Sequence, residues 1–453
     1  RKGLFMLSPA EAQERCEALI ARARRAGADA GDAVYLGNSS ESVSVRLGAL
    51  EDVERSESEN IGLRVFVGGA SASIGSTDLG DTALDELASR AVAMARLAPA
   101  DKFAGLAPEE LLLQGLAPDL DLDDGTERSP ADLRRLAEEA EEAARAIPGV
   151  TNSEGGGASA GRGLFALATS HGFSGAYAAS SHSISASVVA GEGGNMQRDY
   201  SWRSTRHAAD LKGPAEIGRE AGERAVRRLN PGRVKSGPMP VVFDPRVANT
   251  LVGHLLGAMS GASIARRASF LLDRDGQKLF DSAITISVNP LALRGMRSRP
   301  FDGEGLPTAP RKLIDAGQLT GWLMDSAAAR QLGAMPTGHA SRGSSGAPHV
   351  TSSNVVLEAG TITPAQLMAD IADGVYVTEL IGQGVNGVTG DYSRGASGFR
   401  IVNGELAGPI AEFTVAGSLI DMFAALTAAN DLDVYRGIDT PTLRVDGMSV
   451  AGD

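Results

Sequence analysis

Residues 375–416 constrain this chain more than any other stretch. A β-branched, apolar run over 375–381 predicts a buried strand. Glycines then fall at 382, 384, 387, 390, 395 and 398, with almost no helix formers between them. That density predicts a long loop whose backbone approaches something closely. A strand resumes over 399–402, Asn403-Gly404 is a strong hairpin signal, and 411–416 supplies the partner strand. The expectation is a glycine loop at the mouth of a β-sheet.

Two motif matches in this glycine-rich sequence fail on context. Gly382-Gln383-Gly384-Val385-Asn386-Gly387 fits G-x-G-x-x-G after a strand, with Glu405 about 20 residues on, as a dinucleotide fingerprint has it. Val388-Thr389-Gly390-Asp391 follows it, where a pyrophosphate requires a helix N-terminus. Gly157-Ala158-Ser159-Ala160-Gly161 fits the G-x-S-x-G elbow but leads into a strand-like run over 164–169 instead of a helix. With 56 glycines in the chain, such matches arise by chance.

A chain of 453 residues exceeds what one core serves. Its formal charge of -13, from 43 basic and 56 acidic residues, argues against a nucleic-acid or anionic-membrane surface, with Arg266-Arg267 as a local basic spot. One cysteine, Cys16, excludes an intramolecular disulfide framework and any multi-cysteine metal site, and its helical setting makes it a small buried hydrophobe. No run of 18 apolar residues and no charged-then-apolar leader occurs, so a cytoplasmic protein is expected. Met6, preceded by five residues, is a candidate native start.

Taken in order, Ser8 and Glu11 form a capping box ahead of a helix burying Ala12, Cys16, Leu19, Ile20 and Ala23. The period switches to two over 32–77, with breaks expected at Gly37-Asn38, Gly48 and Gly68-Gly69. A helix over 81–97 is expected to bury Leu84, Leu87, Ala91, Met94 and Leu97. Residues 98–128 carry prolines at 99, 108 and 118 and predict a linker or surface excursion. Ser129-Pro130 opens a helix to 147, about four strands are expected over 150–203, and another helix spans 216–229. A short strand, a helix starting at Asp244-Pro245 and a β-rich remainder complete the chain. These elements predict an α+β fold: helix-flanked antiparallel sheet regions, then a β-rich C-terminal domain. The boundaries are an N-terminal α+β domain at 1–128, a middle α+β domain at 129–237 and the C-terminal domain at 238–453.

The Asp244-capped helix contains Leu251-Val252-Gly253-His254-Leu255-Leu256-Gly257-Ala258. Together with Arg266-Arg267-Ala268-Ser269-Phe270-Leu271-Leu272, the run GQGVNGVTGDYSRGASGF at 382–399 and AEFTVAGSLIDMF at 411–423, it resembles the TldD/TldE (PmbA) family, in its TldE/PmbA branch. The similarity covers nearly the whole chain, with its weakest support before residue 32. It implies a two-subunit protease in which only TldD carries zinc, through a His-Glu-x-x-x-His helix and a distant cysteine. Laid over this chain, Gly253 and Ala258 occupy the two ligand positions and His254 that of the general base. Catalytic zinc takes three protein ligands, and glycine and alanine offer none. No catalytic residue, metal or cofactor is therefore expected in this chain, and zinc is expected in a TldD-like partner.

The resemblance further implies an unfolded peptide as substrate, the acidic charge and the lack of a long apolar run lead to no direct nucleic-acid or membrane contact being expected, and a homodimer is possible for the isolated chain. Gly382, Gly384, Asp391, Tyr392, Ser393, Arg394 and Gly395 are the candidate peptide-binding residues, with mutual pairing or turn capping as the structural alternative for Asp391 and Arg394. His339 and His349 flank a Gly/Ser loop at a spacing that fits no compact zinc pattern. Two other functions remain open: a binding protein that modulates DNA gyrase, as the family's older name suggests, and a metal-independent hydrolase using Ser393, for which no neighbouring base is evident.

Overall fold

The computed structural model describes residues 6–452; the five residues ahead of Met6 lie outside it. Helix α1 (Pro9–Arg25) starts at the Ser8–Glu11 capping box, each residue satisfying the other's backbone N–H. Strands β1 (Ala30–Arg46), β2 (Ala49–Val67) and β3 (Ala70–Ser76) form a meander. Its turns, Leu47-Gly48 and Gly68-Gly69, hold both central residues at positive φ, the geometry that matches strand twist. Helix α2 (Asp81–Leu97) follows, then the irregular segment 98–128, α3 (Pro130–Arg145), β4 (Val150–Thr169), β5 (Ser174–Ala190), β6 (Gln197–Thr205) and α4 (Pro214–Arg227).

The six strands make one antiparallel sheet in the order β3-β2-β1-β4-β5-β6, to which residues on either side of 129 contribute three strands each. The even-numbered residues of β4 and β5 and the odd-numbered residues of β1 face the helices, with α1 and α2 over one half and α3 and α4 over the other. On the opposite face, Val34, Leu167 and Phe173 pack against Leu112 from the 98–128 segment and against Phe301 and Leu306 from the C-terminal domain.

Three expectations need correction here. β1 runs through Gly37-Asn38 without a break, because Gly37 is paired on both sides, to Glu59 and to Leu164. Residues 150–205 form three strands, because the glycines at 155–163 stay within β4; the Gly157–Gly161 match lies mid-strand. On α2, Met94 and Leu97 are exposed, and Ala88, Val92 and Ala95 complete the buried face instead.

The C-terminal domain opens with β7 (Gly237–Phe243), α5 (Pro245–Ala258) and α6 (Gly261–Ala265). A region of short elements follows: β8 (Ile286–Val288), β9 (Arg311–Asp315), β10 (Gln318–Leu319), α7 (Ser326–Leu332), β11 (Ala340–Ser341), β12 (His349–Val350), β13 (Val355–Leu357) and α8 (Pro364–Met368). The chain ends with β14 (Asp373–Ile381), β15 (Asp391–Val402), β16 (Glu405–Ser418), α9 (Leu419–Ala424), β17 (Leu426–Ala428), β18 (Ile438–Asp439) and β19 (Leu443–Ala451). The order β16-β15-β14-β7-β19-β17, with β16 also paired to β19, closes β7, β14, β15, β16 and β19 into a barrel. The Asn403-Gly404 hairpin joins β15 to β16 as expected, both residues at positive φ. The fold is α+β with a β-rich C-terminal domain.

Buried ions tie the two halves together. Asp32 on β1 is 2% exposed and accepts from Arg64 Nε on β2 (2.7 Å) and from Arg342 Nε just after β11 (3.0 Å). Burial alone would raise its carboxyl; the two guanidinium groups outweigh burial and hold it below the usual range. A second carboxylate, Asp199 on β6, receives Arg246 of α5 at 2.6 Å.

Removing the charge at Asp32 strands two buried guanidinium groups, so Asp32→Ala is expected to cost about 3–5 kcal/mol, read from urea unfolding at pH 7. Because this carboxyl is depressed in the folded state, its contribution is complete above the unfolded value near pH 4 and is lost as pH falls through the folded one. A variant with wild-type stability would refute the coupling.

Candidate functional site

Helix α5 is positioned at its N-terminus, where Asp244 accepts from Arg246 N at 3.0 Å and Pro245 occupies the first turn. Val247, Leu251, Val252, Leu255 and Leu256 bury one face. Ala258 is buried as well, whereas Gly253 lies at the margin, where an added Cβ would meet nothing within 4 Å.

The polar run expected in a loop belongs to β15. Residues 391–398 are strand, and only 382–390 connect β14 to β15. Alternation turns Asp391 and Ser393 outward to solvent and Tyr392 and Arg394 inward. The inward pair meets His254: the Tyr392 and His254 rings stand edge to face at 6.0 Å. His254 Nε2, Tyr392 Oη and Arg394 Nε are all buried without a hydrogen-bond partner among the described residues. Burial, then the nearby Arg394 charge, lowers the His254 pKa; burial raises that of Tyr392 against the pull of the same arginine. The trio is therefore a neutral imidazole and a neutral phenol beside a guanidinium cation that forms no ion pair with a carboxylate among the described residues, an arrangement suited to receiving an acceptor or an anion.

The glycines differ in role. An added Cβ on Gly384 would lie 1.9 Å from the Ser393 carbonyl oxygen, so Gly384 lets the connection fold onto β15, where Ser393 N donates to Gly384 O at 2.6 Å. Gly398 faces the Tyr376 carbonyl oxygen at 1.9 Å in the same sense. Gly382, at φ 79°, and Gly395, whose nearest obstacle is Ile381 at 3.5 Å, have room. Asp391 and Arg394 do not pair, since they lie on opposite faces of β15; Asp391 accepts from Thr389 Oγ1 at 2.6 Å and so ties the turn. Ser393 is exposed, and among the described residues its hydroxyl makes no hydrogen bond to a base.

These residues do not fit a zinc ion. Gly253 and Ala258 carry no donor, leaving His254 alone, and among the described residues no group of three or more His, Cys, Asp or Glu is placed to hold a metal. Cys16 is buried in the core beneath α1, where burial raises its thiol pKa. His349 is exposed on β12 opposite Ser341. His339 is buried, with Nδ1 2.9 Å from Thr337 Oγ1, and burial followed by the Arg311 charge lowers it to about 4.

Fold and site define a barrel-bearing α+β protein in which a capped helix sets a histidine against a tyrosine of a barrel strand. Three stretches match the PmbA/TldA metallopeptidase family: domain 1 over residues 31–95, the central domain over 123–229 and the C-terminal domain over 236–452. The metalloprotease PmbA of Escherichia coli O157:H7 is 39% identical over 91% of this chain and 90% of its own length. A PmbA homologue of Haemophilus influenzae is 35% identical over 99% of this chain and 98% of its own. Among solved structures, a Bacteroides thetaiotaomicron protein named as a modulator of DNA gyrase superposes with a TM-score of 0.91 at 27% identity, covering 99% of this chain and 100% of that one. TldE of Thermococcus kodakarensis shares the fold, with a TM-score of 0.86 at 21% identity over 96% of this chain and 99% of its own. The chain belongs to the PmbA/TldD family. Among the described residues no helix is long and apolar enough to cross a membrane.

Two predictions follow from the packing of these residues. Gly398→Ala is expected to destabilise by about 1–3 kcal/mol or more through overpacking, and Gly395→Ala to lie near neutral, as judged by thermal melts; equal effects would contradict the assigned roles. His339 is buried neutral with its pKa lowered, so the unfolded chain binds a proton that the folded chain does not. Stability is therefore expected to fall as pH drops below about 6.5, by about 2 kcal/mol at pH 5, and His339→Gln to remove that part of the slope.

Proposed function

We propose that this chain is the metal-free, TldE-like subunit of a two-chain zinc peptidase acting on small or unfolded peptides. What supports the proposal is α5, the helix that carries Gly253, His254 and Ala258 where the resemblance lays the zinc motif, with His254 the one side chain of the three that has a donor atom. In this reading a TldD-like partner brings the zinc. This chain contributes the outward side of β15 and its connection, where Gly382, Asp391, Ser393 and Gly395 are accessible to an extended peptide. The similarity to TldE of Thermococcus kodakarensis and to PmbA supports the assignment.

The test has two parts. Purified alone, the chain is expected to hold no stoichiometric zinc by elemental analysis and to leave an unfolded peptide uncleaved. Tagged and isolated from its native cell, it is expected to bring down a zinc-bearing family member, with cleavage appearing only in the pair. About one zinc per chain, or EDTA-insensitive cleavage by the chain alone, would overturn the proposal. Recovery of a gyrase subunit in place of a peptidase partner would favour gyrase modulation instead.

A further inference from the structure

A cavity of about 390 Å³ opens between the second face of the N-terminal sheet and the C-terminal domain. None of its lining residues belongs to α5, β14 or β15. In a chain of net charge -13, its charged lining is almost entirely of one sign: Arg206, Arg297, Arg299 and Arg342 against one carboxylate, Asp302.

Arg206 and Arg299 are fixed by carbonyls, whereas Arg342 is held by its ion pair with Asp32. Arg206 donates to the carbonyls of Met296 (2.5 Å), Ser180 (3.0 Å) and Gly295 (3.4 Å), and Arg299 to those of Ser352 (2.7 Å) and Ala340 (3.1 Å). Carbonyl partners set where a guanidinium sits and leave its charge in place. No ion pair joins Arg206, Arg297 or Arg299 to a carboxylate among the described residues. Arg342 is 3% exposed, and although its Nε bonds Asp32, its Nη2 is buried with no hydrogen-bond partner.

Asp302 is the one opposing charge, acting on Arg299 through space with no ion-pair contact between them among the described residues. Its oxygens accept from the backbone N–H groups of Glu304 (2.9 Å), Leu306 (3.0 Å) and Ala340 (3.1 Å). The wall beside the arginines is aromatic, with Phe165 and Tyr177 5.5 Å apart between ring centroids. Clustered like charges in a partly desolvated space are unfavourable unless something of opposite sign joins them.

We propose that this cavity binds a small organic anion, a carboxylate or phosphate group carried on an aromatic or apolar body. Arginine forks match either oxyanion, and the rings accept the body. The inference is independent of the peptidase reading, since it asks nothing of α5, of zinc or of a partner chain.

Isothermal titration of the full chain with N-acetylphenylalanine, its amide and phenyl phosphate tests the proposal. At least one of the two anionic probes is expected to bind, and the amide to bind at least tenfold more weakly than N-acetylphenylalanine if the acid is the tighter ligand. Tighter binding of the acid assigns a peptide-like carboxylate, and tighter binding of phenyl phosphate a phosphate ester. Arg297 is exposed and makes no side-chain hydrogen bond among the described residues, so Arg297→Met keeps the fold and is expected to weaken binding severalfold. Arg299→Met is expected to abolish it, with melting temperature as the control. Absence of binding by both anions at millimolar concentration, equal binding of the amide and the tighter anion, or unchanged binding in both arginine variants would overturn the proposal.

Discussion

Asp32 is where the molecule is held in one piece. Its carboxylate is buried between a guanidinium from the neighbouring strand and one from the C-terminal domain, some 310 positions away in sequence. A buried charge costs several kcal/mol unless paired, so each partner enforces the presence of the others. Asp199 does the same at the other end, linking β6 to the first turn of α5. With both carboxylates engaged, the barrel cannot shift against the six-stranded sheet without exposing an unpaired ion. The arginine-lined cavity lies in the space this arrangement leaves between them.

The barrel depends on a second constraint, close backbone approach. β15 is paired on both sides, takes the Tyr376 carbonyl of β14 against Gly398 and presses its own Ser393 carbonyl onto Gly384 in the preceding connection. Gly398 and Gly384 meet those carbonyls at distances no Cβ tolerates. The same strand delivers Tyr392 and Arg394 to His254, so the residues that allow the barrel to close and those that form the candidate site share one element. α5 is fixed by its cap and its apolar face, and it sets His254 against Tyr392 of β15.

Local chemistry was legible in the sequence wherever adjacent residues carried it. The Ser8–Glu11 box, the Asp244-Pro245 start, the alternation along β5 and the Asn403-Gly404 turn each state a backbone preference within a few positions, and each appears in the fold. That Gly253 and Ala258 carry no side-chain lone pair is a property of their residue types, which folding does not alter. Composition and pattern likewise determined an α+β chain with a β-rich C-terminal half.

Only the tertiary structure decided the rest, because its causes are non-local. Glycines at 395 and 398 suggested a loop, yet they sit in a strand whose neighbours leave no room for a side chain at Gly398. Gly37 looked like a break until strands on both sides paired with it. Met94 and Leu97 matched the apolar period of α2, but packing against the sheet selected Ala88, Val92 and Ala95 instead. The meeting of His254 with Tyr392 and Arg394 is a contact between segments about 140 residues apart. The convergence of Arg206 and Arg342 on Arg297 and Arg299 is of the same kind. Sequence states what each residue offers; which offers meet depends on how strands pair and where buried charge finds its partner.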